Sequence, residues 1–293
     1  MLVELSDPVL GTLALGSDPY VVTGLQIGSP EVRAVTRNRA LTSGTFDETR
    51  FLGPRAVTLS LRLKNNPKCN PIAESMTVLR ERVAPYMTPN RRPFFSWQEP
   101  GTTLVRYMEV RGVSWPFGFT GPKYPTMELQ WVCPSGEVWD GTAGTTGVCE
   151  TIVPASDVEL GRTYDEVYDR TYPASAPVGS RIINNPGTWF THWTLTIYGA
   201  TTNPKFTING VLMNFNLNGG VNLLAGETLV IDSRSRTILL NGVATNSRYD
   251  RSNFSTWTWE QLMLQPGSNL VRFDALTLTP TSTAVLCYRA VYA

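Results

Sequence analysis

The chain has 293 residues, 42% of them hydrophobic and 10% aromatic, enough to fill one large or two ordinary cores, so it is not a disordered segment. Charged residues make up only 17%, the formal net charge is +1, and Gly and Pro are plentiful at 24 and 21, a balance suited to turn-rich β structure. Positive and negative charges are also matched in each half, so there is no basic footprint for phosphates, and direct nucleic-acid binding is excluded.

Taken in chain order, the opening Met1-Leu2-Val3-Glu4-Leu5-Ser6-Asp7 carries acidic residues where a secretory signal would be basic. No apolar run approaches the ~20 residues of a bilayer span, so the expectation is a protein made and kept in the cytosol, without membrane insertion. An opening segment around Gly24-Leu25 leads to Val57, Leu59, Leu61 and Leu63, which alternate with Thr58, Ser60 and Arg62 as a half-buried strand. One α-helix is expected at about 70–84. Asn70 would be its N-cap and Pro71 its first residue, and Ile72, Met76, Leu79, Val83 and Tyr86 recur on one face. Arg80 and Glu81 point elsewhere, and Pro85 and Pro89 stop the helix. Strands follow at Val105 to Val110 and at Pro125 to Cys133, where Met127, Leu129, Trp131 and Cys133 form the inward set.

Small residues then take over, with Gly141-Thr142-Ala143-Gly144-Thr145-Thr146-Gly147 read as a loop near a domain boundary. This gives two domains, 1–150 and 151–293. The second opens on an acidic, tyrosine-rich stretch holding Asp157, Glu159, Asp165, Glu166 and Asp169. Beyond it, Trp193 to Tyr198 reads as a strand. Lys205 to Ile208 and Val211 to Phe215 flank Asn209-Gly210, a strong hairpin signal because a type I′ turn needs positive φ at both central residues. Arg236 to Leu240 before Asn241-Gly242 and Val243 repeats the signal, preceded by Leu229-Val230-Ile231 ending at Asp232. Pro266-Gly267-Ser268-Asn269 sets a turn before Leu270 to Phe273. Ala284 to Tyr292 reads as one alternating strand. Many short strands with frequent turns argue sandwich or barrel.

The chemistry-bearing residues are few. Four cysteines (Cys69, Cys133, Cys149, Cys287) contain no Cys-x-x-Cys pair, and reduced thiols are expected, with Cys133 and Cys149 the pair that oxidation would join across the loop. His192 is the single histidine and sits among aromatics in Trp189-Phe190-Thr191-His192-Trp193 at the start of a strand, so it reads as packing or edge exposure, carries no geometric evidence for a nucleophile triad, and with scattered cysteines makes no zinc site. No nucleotide or hydrolase motif is present. The acidic stretch offers carboxylates for glycoside hydrolysis or calcium, but at spacings that select no pair. No catalytic residue, metal or cofactor is therefore expected. Arg91-Arg92 and the pair Arg234 and Arg236 are of a type that grips phosphate or sugar acids, with surface ion pairing the more ordinary reading. Trp189, Trp193, Trp257 and Trp259 are the candidate contacts for a glycan or another subunit, with Trp257 and Trp259 sharing one face if they lie on a strand.

Several of these residues carry a resemblance. Asn184-Asn185-Pro186-Gly187, Ile197-Tyr198-Gly199, Phe206 to Gly210, Ala225 to Asp232, Trp257-Thr258-Trp259 and Leu264 to Phe273, in that order, resemble the carboxy-terminal half of siphophage distal tail proteins over about residues 155–293. The resemblance implies a mainly β protein: an amino-terminal, β-barrel-like ring-forming domain with one helix, then a galectin-like or carbohydrate-module-like β-sandwich. It implies a structural, non-enzymatic virion protein at the distal end of the tail, assembled in the host bacterial cytoplasm. Its partners would be itself in a homohexameric ring, the tail tube protein and the tail-tip hub protein. The alternative is a carbohydrate-binding adhesin module contacting host glycans, which rests on fold analogy.

Overall fold

The computed structural model describes residues 2–16, 20–38, 45–63, 72–115, 117–119, 125–141, 147–154, 179–254, 257–279 and 281–293. The chain divides into two units: unit 1 is Met1–Thr145 together with Val291–Ala293, and unit 2 is Thr146–Ala290. Among the described residues no helix is long and apolar enough to cross a membrane.

Unit 1 runs β1 (Val3–Asp7), β2 (Gly11–Ala14), β3 (Tyr20–Ile27), β4 (Val32–Asn38), β5 (Thr45–Leu52), β6 (Arg55–Leu63), α1 (Ile72–Val83), β7 (Phe94–Gln98), β8 (Val105–Glu109), β9 (Arg111–Ser114), β10 (Phe117–Phe119), β11 (Pro125–Cys133) and β12 (Val138–Asp140). Unit 2 runs β13 (Val148–Ile152), β14 (Ser180–Asn185), β15 (Trp193–Tyr198), β16 (Thr201–Ile208), β17 (Val211–Asn214), β18 (Asn222–Leu223), β19 (Thr228–Asp232), β20 (Thr237–Leu240), β21 (Gly267–Thr277) and β22 (Thr283–Tyr288). The chain then returns to unit 1 as β23 (Val291–Tyr292).

In unit 1 one sheet has the order β2-β1-β7-β8-β12-β23 and the other β10-β11-β6-β3, with β9 also paired to β11. Among the described residues both are open at their ends, which corrects the expected barrel-like closure to two sheets over one core. The alternation in β6 and β11 puts Val57 opposite Trp131, Leu59 opposite Leu129 and Leu61 opposite Met127, all buried. Trp131 meets Phe95 of the other sheet at 5.3 Å between ring centroids. The helix face continues past its end: Leu79 and Val83 are buried, and so are Tyr86 and Met87 of the 3₁₀ turn Ala84–Met87 that follows. Pro85 therefore tightens the helix rather than ending it at once, because a ring without N–H removes an α-helical bond while fitting the first turn of a new segment. Arg80 and Glu81 are exposed, and Asn70 and Pro71 lie outside the described residues.

Unit 2 is a sandwich of two five-stranded sheets, one ordered β13-β22-β15-β19-β20 and the other β14-β21-β16-β17, with β18 paired to β16. Period-two patterning puts Trp193, Leu195 and Ile197 of β15 and Phe206 and Ile208 of β16 into a single core, with Val271 and Phe273 of β21 and Leu286 of β22. The turn between β16 and β17 has the two positive φ values its sequence demands, 49° at Asn209 and 87° at Gly210.

Three strand expectations need correction. Asn241-Gly242 joins no second hairpin strand; only an isolated bridge between Leu239 and Ser247 follows, because the run after Gly242 is short and polar. Trp257 and Trp259 lie in a loop, not on a strand. The expected strand 284–292 breaks after Tyr288, since its last residues pair with β12 in unit 1. The cysteines differ as well: Cys149 and Cys287 form a disulfide, and Cys133 is free and buried. Register explains this, for Cys149 and Cys287 are direct cross-strand partners, whereas Cys133 faces the core of unit 1.

Candidate assembly surfaces

The four candidate tryptophans separate by burial. Trp193 on β15 is 2% exposed, and its Nε1 donates to the Leu262 carbonyl at 2.6 Å. Trp257 and Trp259 are also buried, edge to face at 5.1 Å, and Phe254 lies 4.5 Å from Trp257. Phe254 in turn stacks on Tyr249, whose hydroxyl receives the Trp259 indole N–H at 3.4 Å. Core rings of this kind have no face on which a sugar could stack. Trp189 is partly exposed and meets the more exposed Phe190 edge-on at 5.7 Å.

The residues that might suggest catalysis have structural duties. Asp232, Ser233 and His192 lie close together, with His192 Nδ1 3.5 Å from Ser233 Oγ. Yet Ser233 accepts the Trp193 N–H at 2.7 Å and donates to the Trp193 carbonyl at 2.8 Å, tying the end of β19 to the start of β15. Asp232 is committed too, accepting the Arg234 and Ser235 N–H groups of its own turn. Burial, reinforced by Arg234, lowers the pKa of His192 and favours the neutral ring. Cys133 is held by Ser135 Oγ and the Glu137 carbonyl, and burial pushes its thiol pKa up, the reverse of an activated nucleophile. Among the described residues no cluster of three or more His, Cys, Asp or Glu could hold a metal. The acidic stretch 157–169 and the loop residues 142–146 lie outside the described residues.

Arg91 and Arg92 pair with the protein's own carboxylates, at 3.0 Å to Asp7 and 3.3 Å to Glu109, and Arg236 pairs with Glu260 at 2.7 Å. The Asp7 contact builds a surface that sequence reading missed. Its Oδ1 accepts the N–H groups of Val9 and Leu10 at 2.8 and 3.1 Å as well as Arg91, and Tyr86 donates to the Gly11 carbonyl at 3.2 Å. Burial alone would raise the carboxyl pKa, but these donors outweigh it and hold Asp7 below the ordinary carboxylate range. The result is a fixed turn between β1 and β2 that displays Val9, 78% exposed, and Leu10. Asp7-Pro8-Val9-Leu10-Gly11 does carry the signal, a turn bounded by Asp-Pro and Gly with apolar residues inside it.

Two further surfaces stand out. The hairpin β4–β5 pairs only with itself, and neither strand joins another sheet among the described residues. In unit 2, Ile182 and Leu270 are register partners on the outer face of their sheet, 63% and 46% exposed.

Residues 186–292 match the family model of the siphovirus-type tail component, C-terminal domain. Among solved structures the chain is similar to SPP1 Dit (gp 19.1), described as a paradigm of the hub adsorption apparatus of phages infecting Gram-positive bacteria. The identity is 11%, both chains are covered to 100%, and the TM-score is 0.62. A chain of the phage P2 baseplate in its activated conformation with Ca matches at 8% identity, 99% coverage of this chain and 97% of that one, and a TM-score of 0.45. A tail chain of a gene transfer agent particle matches at 14% identity over 45% of this chain and 90% of that one, with a TM-score of 0.28. No curated protein matches. The sandwich thus carries the siphovirus-type tail component C-terminal domain, and the fold along the whole chain is similar to that of SPP1 Dit.

Proposed function

We propose that the protein closes into a ring, homohexameric as in the distal tail family, that joins the tail tube protein on one face to the tail-tip hub protein on the other. The observation that carries this reading is the β4–β5 hairpin. A two-stranded hairpin is marginally stable in water on its own, so it gains most from a neighbouring surface. A neighbouring copy supplies one through a heterologous contact, and such contacts close a ring when the rotation per copy allows it. The Val9–Leu10 knob, on its rigid mount in the same unit, is a second candidate for that contact; the exposed helix residues Arg80 and Glu81 are a third.

The ring works by geometry rather than chemistry, with no catalytic residue, metal or cofactor, at the distal end of the virion tail after assembly in the host bacterial cytoplasm. Of the four candidate tryptophans, Trp189 has the most ring surface to offer a subunit or a host glycan. Light scattering over a concentration series, with negative-stain electron microscopy, tests the reading. A particle of about six times 32.4 kDa is expected. A monomer that stays monomeric when mixed with tube and hub proteins overturns it.

A further inference from the structure

We propose that Cys149 and Cys287 form a thiol–disulfide exchange site that clasps unit 2, open as two thiols where the chain is made and closed as a disulfide in the released particle. The proposal rests on the tail-protein reading, because a virion component made in a reducing cytosol is released into an oxidising medium, whereas a protein retained in the cytosol is not.

Placement makes the case. Cys149 lies three residues after the start of unit 2 at Thr146, and Cys287 three before its end at Ala290. The bond spans a sequence separation of 138 and joins the first strand of the unit to its last. It therefore ties the entering and leaving chain together where both pass to unit 1. The strand that carries Cys149 is also the one most in need of a clasp. Among the described residues β13 is an edge strand paired on one side only, with Val148, Cys149 and Thr151 exposed and Ile152 buried as its apolar anchor. The side chain of Arg181 on β14 adds an ion pair to Glu150 and a hydrogen bond to the Thr151 carbonyl. Gly147 runs so close to the Tyr288 carbonyl that a Cβ would collide with it.

Exposure decides reactivity. Cys149 is exposed and Cys287 partly so, and a small thiolate reaches the bond without unfolding the sandwich. Cys133, buried in the core of unit 1, offers no such access. Closing needs an oxidant of the small-molecule disulfide class, RSSR. Cys149 loses its proton and its thiolate attacks one sulfur of RSSR, expelling RS⁻, which takes up the proton. The Cys287 thiolate then attacks the Cys149 sulfur of the mixed disulfide and expels the second RS⁻. Two protein thiols are oxidised to one disulfide while RSSR is reduced to two RSH, and excess RSH reverses both steps.

The test equilibrates the full chain, without denaturant, in glutathione buffers from fully reduced to fully oxidised, traps free thiols by alkylation and maps them by mass spectrometry. The expected result is that Cys149 and Cys287 are labelled together in reduced buffer and protected together in oxidised buffer, with Cys133 unlabelled in both. Unit 2 should melt about 10 °C higher when oxidised, and unit 1 should be unmoved. A bond that survives the reduced buffer overturns the proposal in favour of a permanent staple, and thiols that stay free in the oxidised buffer overturn it outright. Particle mass measured on the same samples separates the two readings. Rings with unresponsive cysteines sink the clasp alone, and monomers with responsive cysteines, even with tube and hub proteins present, sink the ring alone.

Discussion

Asn269 in unit 2 and Val291 in unit 1 show how differently two β structures of similar size are closed. Asn269 is fully buried, and its amide spans its own turn, accepting the Gln265 N–H at 2.8 Å and donating to the Gln265 and Gly267 carbonyls at 2.8 and 2.9 Å. It also receives Asn209 Nδ2 at 2.9 Å, so the turn before β21 is locked to the turn after β16. Asn185 does the same for the loop before β15, holding the Trp189 and Leu264 carbonyls and the Gly187 N–H. Unit 2 thus closes with polar side chains placed within its own sequence. Unit 1 closes with a strand that follows unit 2 in the sequence: Val291 is 2% exposed, Tyr292 donates to Asp140 at 2.8 Å, and Arg106 lies 4.1 Å over the Tyr292 ring. The lesson is that turn-borne hydrogen bonds make a fold self-contained, and borrowed strands make it conditional.

Core tryptophans give the largest test of that contrast. Trp193→Ala and Trp131→Ala each remove a buried indole and should cost about 3–5 kcal/mol in denaturant unfolding. The phenylalanine variants sharpen the comparison. Trp193→Phe orphans the buried Leu262 carbonyl and should cost about 1–3 kcal/mol more than Trp131→Phe, because the Trp131 indole N–H has no acceptor among the described residues. Equal costs would break the claim that unit 2 depends on its polar ties.

Ending the chain at Ala290 should cost unit 1 about 2–3 kcal/mol, from burial of Val291 and the cation–ring contact, and leave the unit 2 transition in place. Differential scanning calorimetry separates the two units. Loss of unit 2 instead would show that the borrowed strand is not where the dependence lies.

Acid should then divide the units further. The Asp7 pKa is depressed in the folded state, so its contribution is fully present above the ordinary carboxylate value and is lost as pH falls through the lower folded value. Asp7→Asn should remove about 1–2 kcal/mol from unit 1 at neutral pH and flatten its acid transition, as read by melts from pH 7 to 2. The smallest effect is expected at Gly210→Ala, where a side chain meets no neighbour but must adopt φ near 87°, at about 1 kcal/mol in unit 2.

The same contrast governed what could be read in advance. β15, β11 and the Asn209-Gly210 hairpin were legible because each combines alternation with a turn chemistry that admits few conformations. Asp232 and Gly267 were legible for the same reason, as short-range devices. The break after Tyr288 was not, since residues 289 and 290 continue the alternation and only the distant partner β12 claims the two that follow. The Cys149–Cys287 pairing was hidden likewise, being fixed by a register 138 residues apart. Of the candidate tryptophans, spacing brought Trp257 and Trp259 together but could not say that their loop turns both rings inward. The Val9–Leu10 display was in the turn signal, but which side of it faces water depends on Asp7 together with Tyr86 and Arg91, which come from a distant segment of unit 1.

The return of β23 also sets an order of events in synthesis. Residues 291–292 leave the ribosome after every residue of unit 2, so the six-stranded sheet of unit 1 stays one strand short while unit 2 already has all its strands. A nascent chain stalled anywhere within unit 2 therefore carries an incomplete unit 1. If unit 1 builds the ring, translation through Tyr292 becomes a checkpoint, and prematurely terminated copies are kept out of the particle by their own missing edge.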